Sequence, residues 1–263
     1  MEKLISIDLK APMGFLKKPD INEGGGKQLY LTFNILHKPA LLGILGAILG
    51  LDGYGEPGQL PDYYQKLENL PVGIEPLNTN KGNISKTIVQ YNNTTGFASH
   101  EQGGNLVVAE QILLRPTFRC FLLLSTNNEL HVNLDTKLKH SEAEYIPYLG
   151  KNEFHLWWEN YKVYQYEPFS FDRDYRIRTI IRKGNQIVKT MRTETGFRFP
   201  FILGDAKSEP EFITFEELPI GFDPDLKQYQ REMFAYSNYT FKREFHLDGL
   251  YLLKEEELVI QLF

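Results

Sequence analysis

Six histidines, at positions 37, 100, 131, 140, 155 and 246, are the side chains best suited to acid–base or metal chemistry. None stands at metal-ligand spacing from another, so no metal is expected, and no cofactor. The patterns G-x-S-x-G, H-E-x-x-H and the P-loop are absent. A single cysteine, Cys120, excludes a disulfide framework and a cysteine zinc site. Its apolar setting, FRCFLLL, reads as that of a buried small hydrophobe. Metal-independent acid–base catalysis leaves little trace in a sequence. His37, His100 and His140 are its candidates, although packing or surface roles are the commoner fate of such residues.

Phosphate binding is the second chemistry in view. Net charge is −5, which argues against nucleic acid for the chain as a whole, yet the charge is uneven. Residues 201–263 hold 6 Lys+Arg against 13 Asp+Glu, while 161–200 hold 9 against 4. A local basic strip can bind phosphate on an acidic protein. Within that strip, a period of two puts Arg176, Arg178 and Arg182 on one face. Another candidate is Gly150-Lys151-Asn152, which offers backbone N–H groups, a cation and an amide together.

The elements that must position these residues come next. Leu4 to Leu9 alternates and predicts a first strand; Leu29 to Phe33 predicts a second. Ala40 to Leu51 predicts an apolar helix entered through Pro39, with Gly43, Gly46 and Gly50 on one face. Glycine costs about 1 kcal/mol in a helix interior, so close packing, here against the sheet, must require these three. Gly53 to Gly58 matches G-x-G-x-x-G but follows a helix and contains a proline, so it reads as a loop. Pro61 to Leu70 predicts a short helix, and Pro71 to Gly82 an irregular stretch. Residues 84–124 predict a long β-hairpin, with Ile84–Tyr91 as one arm and Asn105–Leu124 as the other. Its polar tip, Asn92 to Gly104, would project from the body. Asn127 to His140 has weak helical character, and Tyr175 to Met191 predicts a second hairpin turning at Lys183–Asn185. Strands are expected at Met233–Phe241 and Glu257–Phe263. Tyr and Phe together number 33, which favours a strand-rich α+β chain. The start, MEKLISIDLK, is no signal peptide, and Ala40–Leu51 is too short to span a bilayer. No membrane association is expected, and a cytoplasmic location is.

The order of a first strand, FLKKP, N-x-x-HKPALLGILGAILGL, a loop-tipped hairpin and YLGKNEF resembles the Cas family-five proteins of CRISPR type I systems, closest to the type I-B form. The likeness covers about residues 1–155. It implies an RRM-like (ferredoxin-like) N-terminal domain over 1–160 with a protruding β-hairpin thumb at 84–124, and a smaller β-rich C-terminal region over 161–263. It implies an RNA-binding, RAMP-type subunit of the Cascade surveillance complex in antiviral defence. Its partners would be the 5′ handle of the CRISPR RNA, the backbone (Cas family-seven) subunit and the large subunit, with target DNA met only through the complex. The type I-B likeness implies a non-catalytic chain, and the alternative is a metal-independent endoribonuclease processing precursor RNA. The RNA-binding residues so implied are Lys17, Lys18, His37, Lys38, Tyr91, His100, Arg115, Arg119, Lys151 and Asn152. Arg115 and Arg119 would lie on the thumb's return arm and Tyr91 would stack on a base at its foot. Charge reversal at Lys38 would weaken RNA retention.

Overall fold

The computed structural model describes residues 1–19, 29–56, 58–93, 106–182, 192–193, 196–197, 201–202 and 211–263. Around the main sheet the chain runs β1 (Glu2–Lys10), α1 (Lys38–Leu49), α2 (Asp62–Leu67), β2 (Val72–Leu77), β3 (Lys86–Asn93), β4 (Leu106–Leu114), β5 (Thr117–Ser125), α3 (Glu129–His140) and β6 (Trp157–Tyr164). The main sheet has the order β2-β5-β1-β6, with antiparallel neighbours throughout. The fold is α+β, with mostly antiparallel sheets and few helices. Strand β6 crosses position 160, so the main sheet draws on residues from both sides of it.

Both faces of this sheet are buried. Ile5, Ile7 and Leu9 of β1, with Phe118, Cys120 and Leu122 of β5 and Val72 and Ile74 of β2, pack on the helices. Leu41, Leu42, Leu45 and Ile48 of α1 are fully buried there, each stabilising the fold by about 1.5–3 kcal/mol. On the other face Leu4, Phe121, Leu123 and Tyr164 meet Leu253, Ile260 and Leu262. Those last residues come from the C-terminal part of the chain. There, β7 (Tyr166–Pro168), β11 (Leu250–Leu253) and β12 (Leu258–Gln261) form one sheet, and β8 (Ile181–Arg182), β9 (Ile213–Phe222) and β10 (Tyr229–Ser237) another.

Two-sided burial explains one difference from the sequence reading. Val72–Leu77 is a strand where an irregular stretch was expected, because a strand buried on both faces need not alternate. The predicted second strand is shorter than expected, only Leu29–Tyr30. Just beyond it Thr32 turns its hydroxyl to Leu16 and Asn34 bonds Gly82 and Ile84, which bends the chain away. The expected return arm, 105–124, is two strands. Arg115, at φ 50°, and Pro116 break it, so β4 pairs with β3 while β5 enters the main sheet. The arm of the second predicted hairpin pairs with β10 through Ile181 and Arg182, and its turn lies outside the described residues.

The helix glycines pack against a helix and a loop, not against the sheet. A Cβ on Gly46 would stand 2.4 Å from Tyr63 Cβ of α2, whereas one on Gly43 would stand 3.5 Å from the Tyr63 ring. Gly50 lies beyond the helix as its left-handed cap, with its N–H bonded to Ala47 and Gly46. Gly46→Ala should therefore lower stability by about 1–3 kcal/mol through overpacking. Gly43→Ala should instead gain up to about 1 kcal/mol from helix propensity. Thermal unfolding of the two variants checks this, and equal shifts would contradict the α1–α2 contact.

Candidate nucleic-acid interface

Three groups of side chains contain nine of the ten residues chosen from the sequence; His100 lies outside the described residues. The first group flanks the FLKKP turn. Lys17 is exposed, with its Nζ 4.3 Å from the centre of the Tyr30 ring, and has no ion-pair partner among the described residues. Lys18 is tied to Glu216 at 2.8 Å and lies over Phe33. Glu216 also accepts from the backbone N–H groups of Asn34 and Ile35, so one carboxylate of β9 closes this corner of the fold. Behind it, His37 and Lys38 are buried. His37 Nδ1 accepts from Ala40 N–H at 3.3 Å as the cap of α1, and its ring sits edge-on between Phe33 and Tyr229. Burial lowers its pKa to about 3, so the ring is neutral at pH 7. Lys38 Nζ donates to the Phe263 carbonyl, and burial lowers its pKa to about 8. The polar atoms of both residues thus serve the fold, and the helix start expected to meet phosphate is covered. Lys38→Glu would place a carboxylate against that carbonyl and would damage folding before it affected RNA.

The second group is at the foot of the β3–β4 pair. Lys151 Nζ bonds Glu110 at 2.6 Å and the Tyr91 hydroxyl at 3.1 Å, and lies over the rings of Tyr91 and Phe15. Tyr91 in turn donates to Glu110. Burial lowers the Lys151 pKa, but the bonds to Glu110 and Tyr91 outweigh it and the net shift is upward, so the lysine is charged. Gly150 holds the turn: at φ 86° its α-carbon is so close to the Phe15 carbonyl that a Cβ would stand 1.8 Å from the oxygen. Asn152 is exposed in that turn. Arg115 is exposed at the β4–β5 break, its backbone N–H bonded to Pro12, and it has no ion-pair partner among the described residues.

The third group crosses the main sheet. Arg119 makes a two-pronged bond to Asp8, at 2.7 and 3.0 Å. Asn160, in left-handed geometry at a β-bulge, donates to the same carboxylate. Glu75 lies beside Arg119 on β2 and pairs with Arg178 at 2.6 Å. Burial pushes Asp8 up, yet the bonds from Arg119 and Asn160 outweigh it, and its pKa is lowered. At Glu75 burial prevails over Arg178 and Arg119, and the pKa is raised. Arg119 therefore belongs to the main sheet rather than to the hairpin. The alternation at Arg176 and Arg178 holds, but both side chains, like Arg182, have acceptors: Thr240, Glu75 and Glu232.

The sequence reading missed Asp8, Glu75, Glu110 and Glu216, the carboxylates that neutralise its cations. An acid inside the apolar run Leu4–Leu9 was the one visible signal, since a buried charge requires a partner. Among the described residues, no group of three or more His, Cys, Asp or Glu converges as a metal site. No described helix is long and apolar enough to cross a membrane.

No protein-family model matches the sequence, and no curated protein matches it. Solved structures do. A chain in the cryo-EM structure of Type III-B Cmr-beta bound to cognate target RNA and AMPPnP (state 1) is 11% identical. The match covers 97% of this chain and 99% of that one, with a TM-score of 0.50. A CRISPR protein from Archaeoglobus fulgidus is 13% identical over 98% and 97% of the two chains, with a TM-score of 0.45. A Cas protein crystal structure is 17% identical with a TM-score of 0.33, and this chain spans 57% of its length. Such identities speak of fold alone. The chain is thus an α+β protein of the fold present in the Cmr-beta structure, matched nearly end to end.

Two outcomes follow from the geometry. Arg119→Met should cost about 3–5 kcal/mol by leaving Asp8 buried and unpaired. An arginine serving RNA alone would leave urea unfolding unchanged. His37 has a folded pKa below its unfolded value near 6.5, so its contribution is complete above pH 6.5 and is lost as pH falls toward 3. Its share of that loss is about 1.4 kcal/mol per pH unit. His37→Asn, which can still cap the helix, should flatten the stability profile between pH 6 and about 4, with a smaller slope left from His131, also lowered by burial.

Proposed function

We propose that the chain is a non-catalytic, RNA-binding subunit of a CRISPR effector complex that caps the 5′ handle of the guide RNA and contacts backbone and large subunits. The observation carrying this reading is the fold match to a Cmr-beta chain over 97% of this chain. The element sequence supports it further. Leaving aside the short α2, the order strand, helix, strand, strand, helix, strand, with the sheet order β2-β5-β1-β6, is the order that a ferredoxin-like, RRM-like domain would have. The β3–β4 pair, inserted between β2 and β5, would serve as its thumb. The family-five, type I-B form of the proposal rests on the motifs HKPALLGILGAILGL and YLGKNEF.

RNA would bind this protein at its rim. In RRM domains the open sheet face stacks bases, and here that face is covered by Leu253, Ile260 and Leu262. The exposed positions Lys17, Arg115 and Asn152, and Tyr91 at 39% exposure, are the surface left for phosphates and a base. Lys18, Arg119 and Lys151 already serve carboxylates, and their part is to shape that surface.

In the assembled complex, filter binding of handle RNA across a salt series should show retention that weakens as salt rises. Lys17→Glu and Arg115→Glu should each weaken it and flatten the slope by about 0.7 for each phosphate no longer neutralised. Retention insensitive to salt and to both variants would sink the proposal. Specific metal-free cleavage of repeat RNA, abolished in His100→Ala or His140→Ala, would replace it with the endoribonuclease reading.

A further inference from the structure

An open groove of about 630 Å³ runs along the small-residue side of α1, over Gly43. Five tyrosines line it: Tyr54, Tyr63, Tyr145, Tyr148 and Tyr229. Three are well exposed, Tyr54 at 68%, Tyr145 at 55% and Tyr148 at 43%. None of the five hydroxyls has a hydrogen-bond partner among the described residues. Burial raises the pKa of Tyr63 and that of Tyr229, the latter to about 12, and Tyr54 lies near enough to raise both further. They are therefore O–H donors at neutral pH.

The charge of the groove decides what fits it. Among the described residues its lining contains no lysine or arginine, and Asp52 is the single charged one. Asp52 has no ion-pair partner among the described residues, and Glu144, loosely paired with Lys137 at 3.6 Å, stands beside Gly50 at the same end of α1. A phosphate chain would meet repulsion here and no cation. A polyproline II peptide brings the opposite chemistry. Its carbonyls are free of internal hydrogen bonds and accept from tyrosine hydroxyls, and its proline rings lie flat on aromatic faces.

We propose that this groove docks an extended, proline-rich segment of a partner protein, with a basic residue of that segment placed beside Asp52. The described lining includes none of the cations assigned to RNA, although Leu16 and Gly150 bring it next to Lys17 and Lys151, and the proposal does not depend on that assignment. The carboxylate selects the orientation of the peptide, while the tyrosines provide contact area at a small entropic cost.

The test is fluorescence anisotropy of the purified chain with a labelled hexaproline peptide ending in arginine. The same peptide ending in glutamate and an octameric oligouridylate serve as comparisons. Saturable binding of the arginine peptide is expected, about tenfold weaker in Tyr54→Ala and in Tyr145→Ala, as for an aromatic anchor at an interface. Asp52→Asn should erase the preference for arginine over glutamate. Both tyrosines are exposed, so these variants should keep the parental unfolding temperature, whereas Tyr63 supports α2 and is left untouched. Absence of saturable peptide binding, binding indifferent to the tyrosine variants, or displacement of the peptide by oligouridylate would each overturn the proposal.

Discussion

Burial of the main sheet on both faces is the constraint on which the rest of this structure depends. A sheet with one wet face can carry charge there at little cost. Here β1 lies between the helices and the C-terminal strands, so Asp8 and Glu75 must be paired inside the protein. The Arg119–Asp8 fork, the Asn160 bond and the Glu75–Arg178 pair answer that requirement. Because Arg178 belongs to the C-terminal part and Glu75 to β2, the same pairing joins the layers of the sandwich.

Charge satisfied inside is charge withdrawn from the surface. Lys18, Lys151, Arg119 and Arg182 each face a carboxylate within 3 Å. The net charge of −5 therefore exaggerates how acidic the exposed surface is in some places and conceals cationic points in others. Lys17 and Arg115 are such points, one on the FLKKP turn and one at the β4–β5 break. The groove beside α1 has the reverse character, neutral and aromatic with an acid at one end.

The two motifs behind the family resemblance are neighbours in space. Glu144 and Tyr145 donate their N–H groups to the Ile48 and Ala47 carbonyls near the end of α1, and Leu149 accepts from Phe15 N–H. Gly46 admits Tyr63, and Gly150 admits the Phe15 carbonyl. Both motifs thus contain glycines at positions where a side chain would collide with a neighbouring element. Their distinctiveness records a packing requirement first, and the tyrosine groove is a consequence of the same small-residue surface.

Much of this architecture was legible in the amino-acid order alone. Strand β1, helix α1 with its proline entry, the β3 arm and the final strand follow from local periodicity and capping, which act over a few residues. Strand β2 did not, because burial on both faces removes the alternation by which strands are read. The break at Arg115 was marked by Pro116, but that β5 leaves the hairpin for the main sheet is a matter of long-range pairing. At the candidate interface the sequence identified cations correctly as residue types and could not identify their partners. Asp8 lies 111 residues from Arg119, and Glu216 lies 182 from Asn34. Whether a lysine or histidine meets solvent or a buried acceptor is decided by which distant segments fold against it. His37 and Lys38 show the outcome most clearly: placed by sequence at an ideal helix start, they are enclosed by Phe33, Tyr229 and Phe263 once the tertiary fold forms.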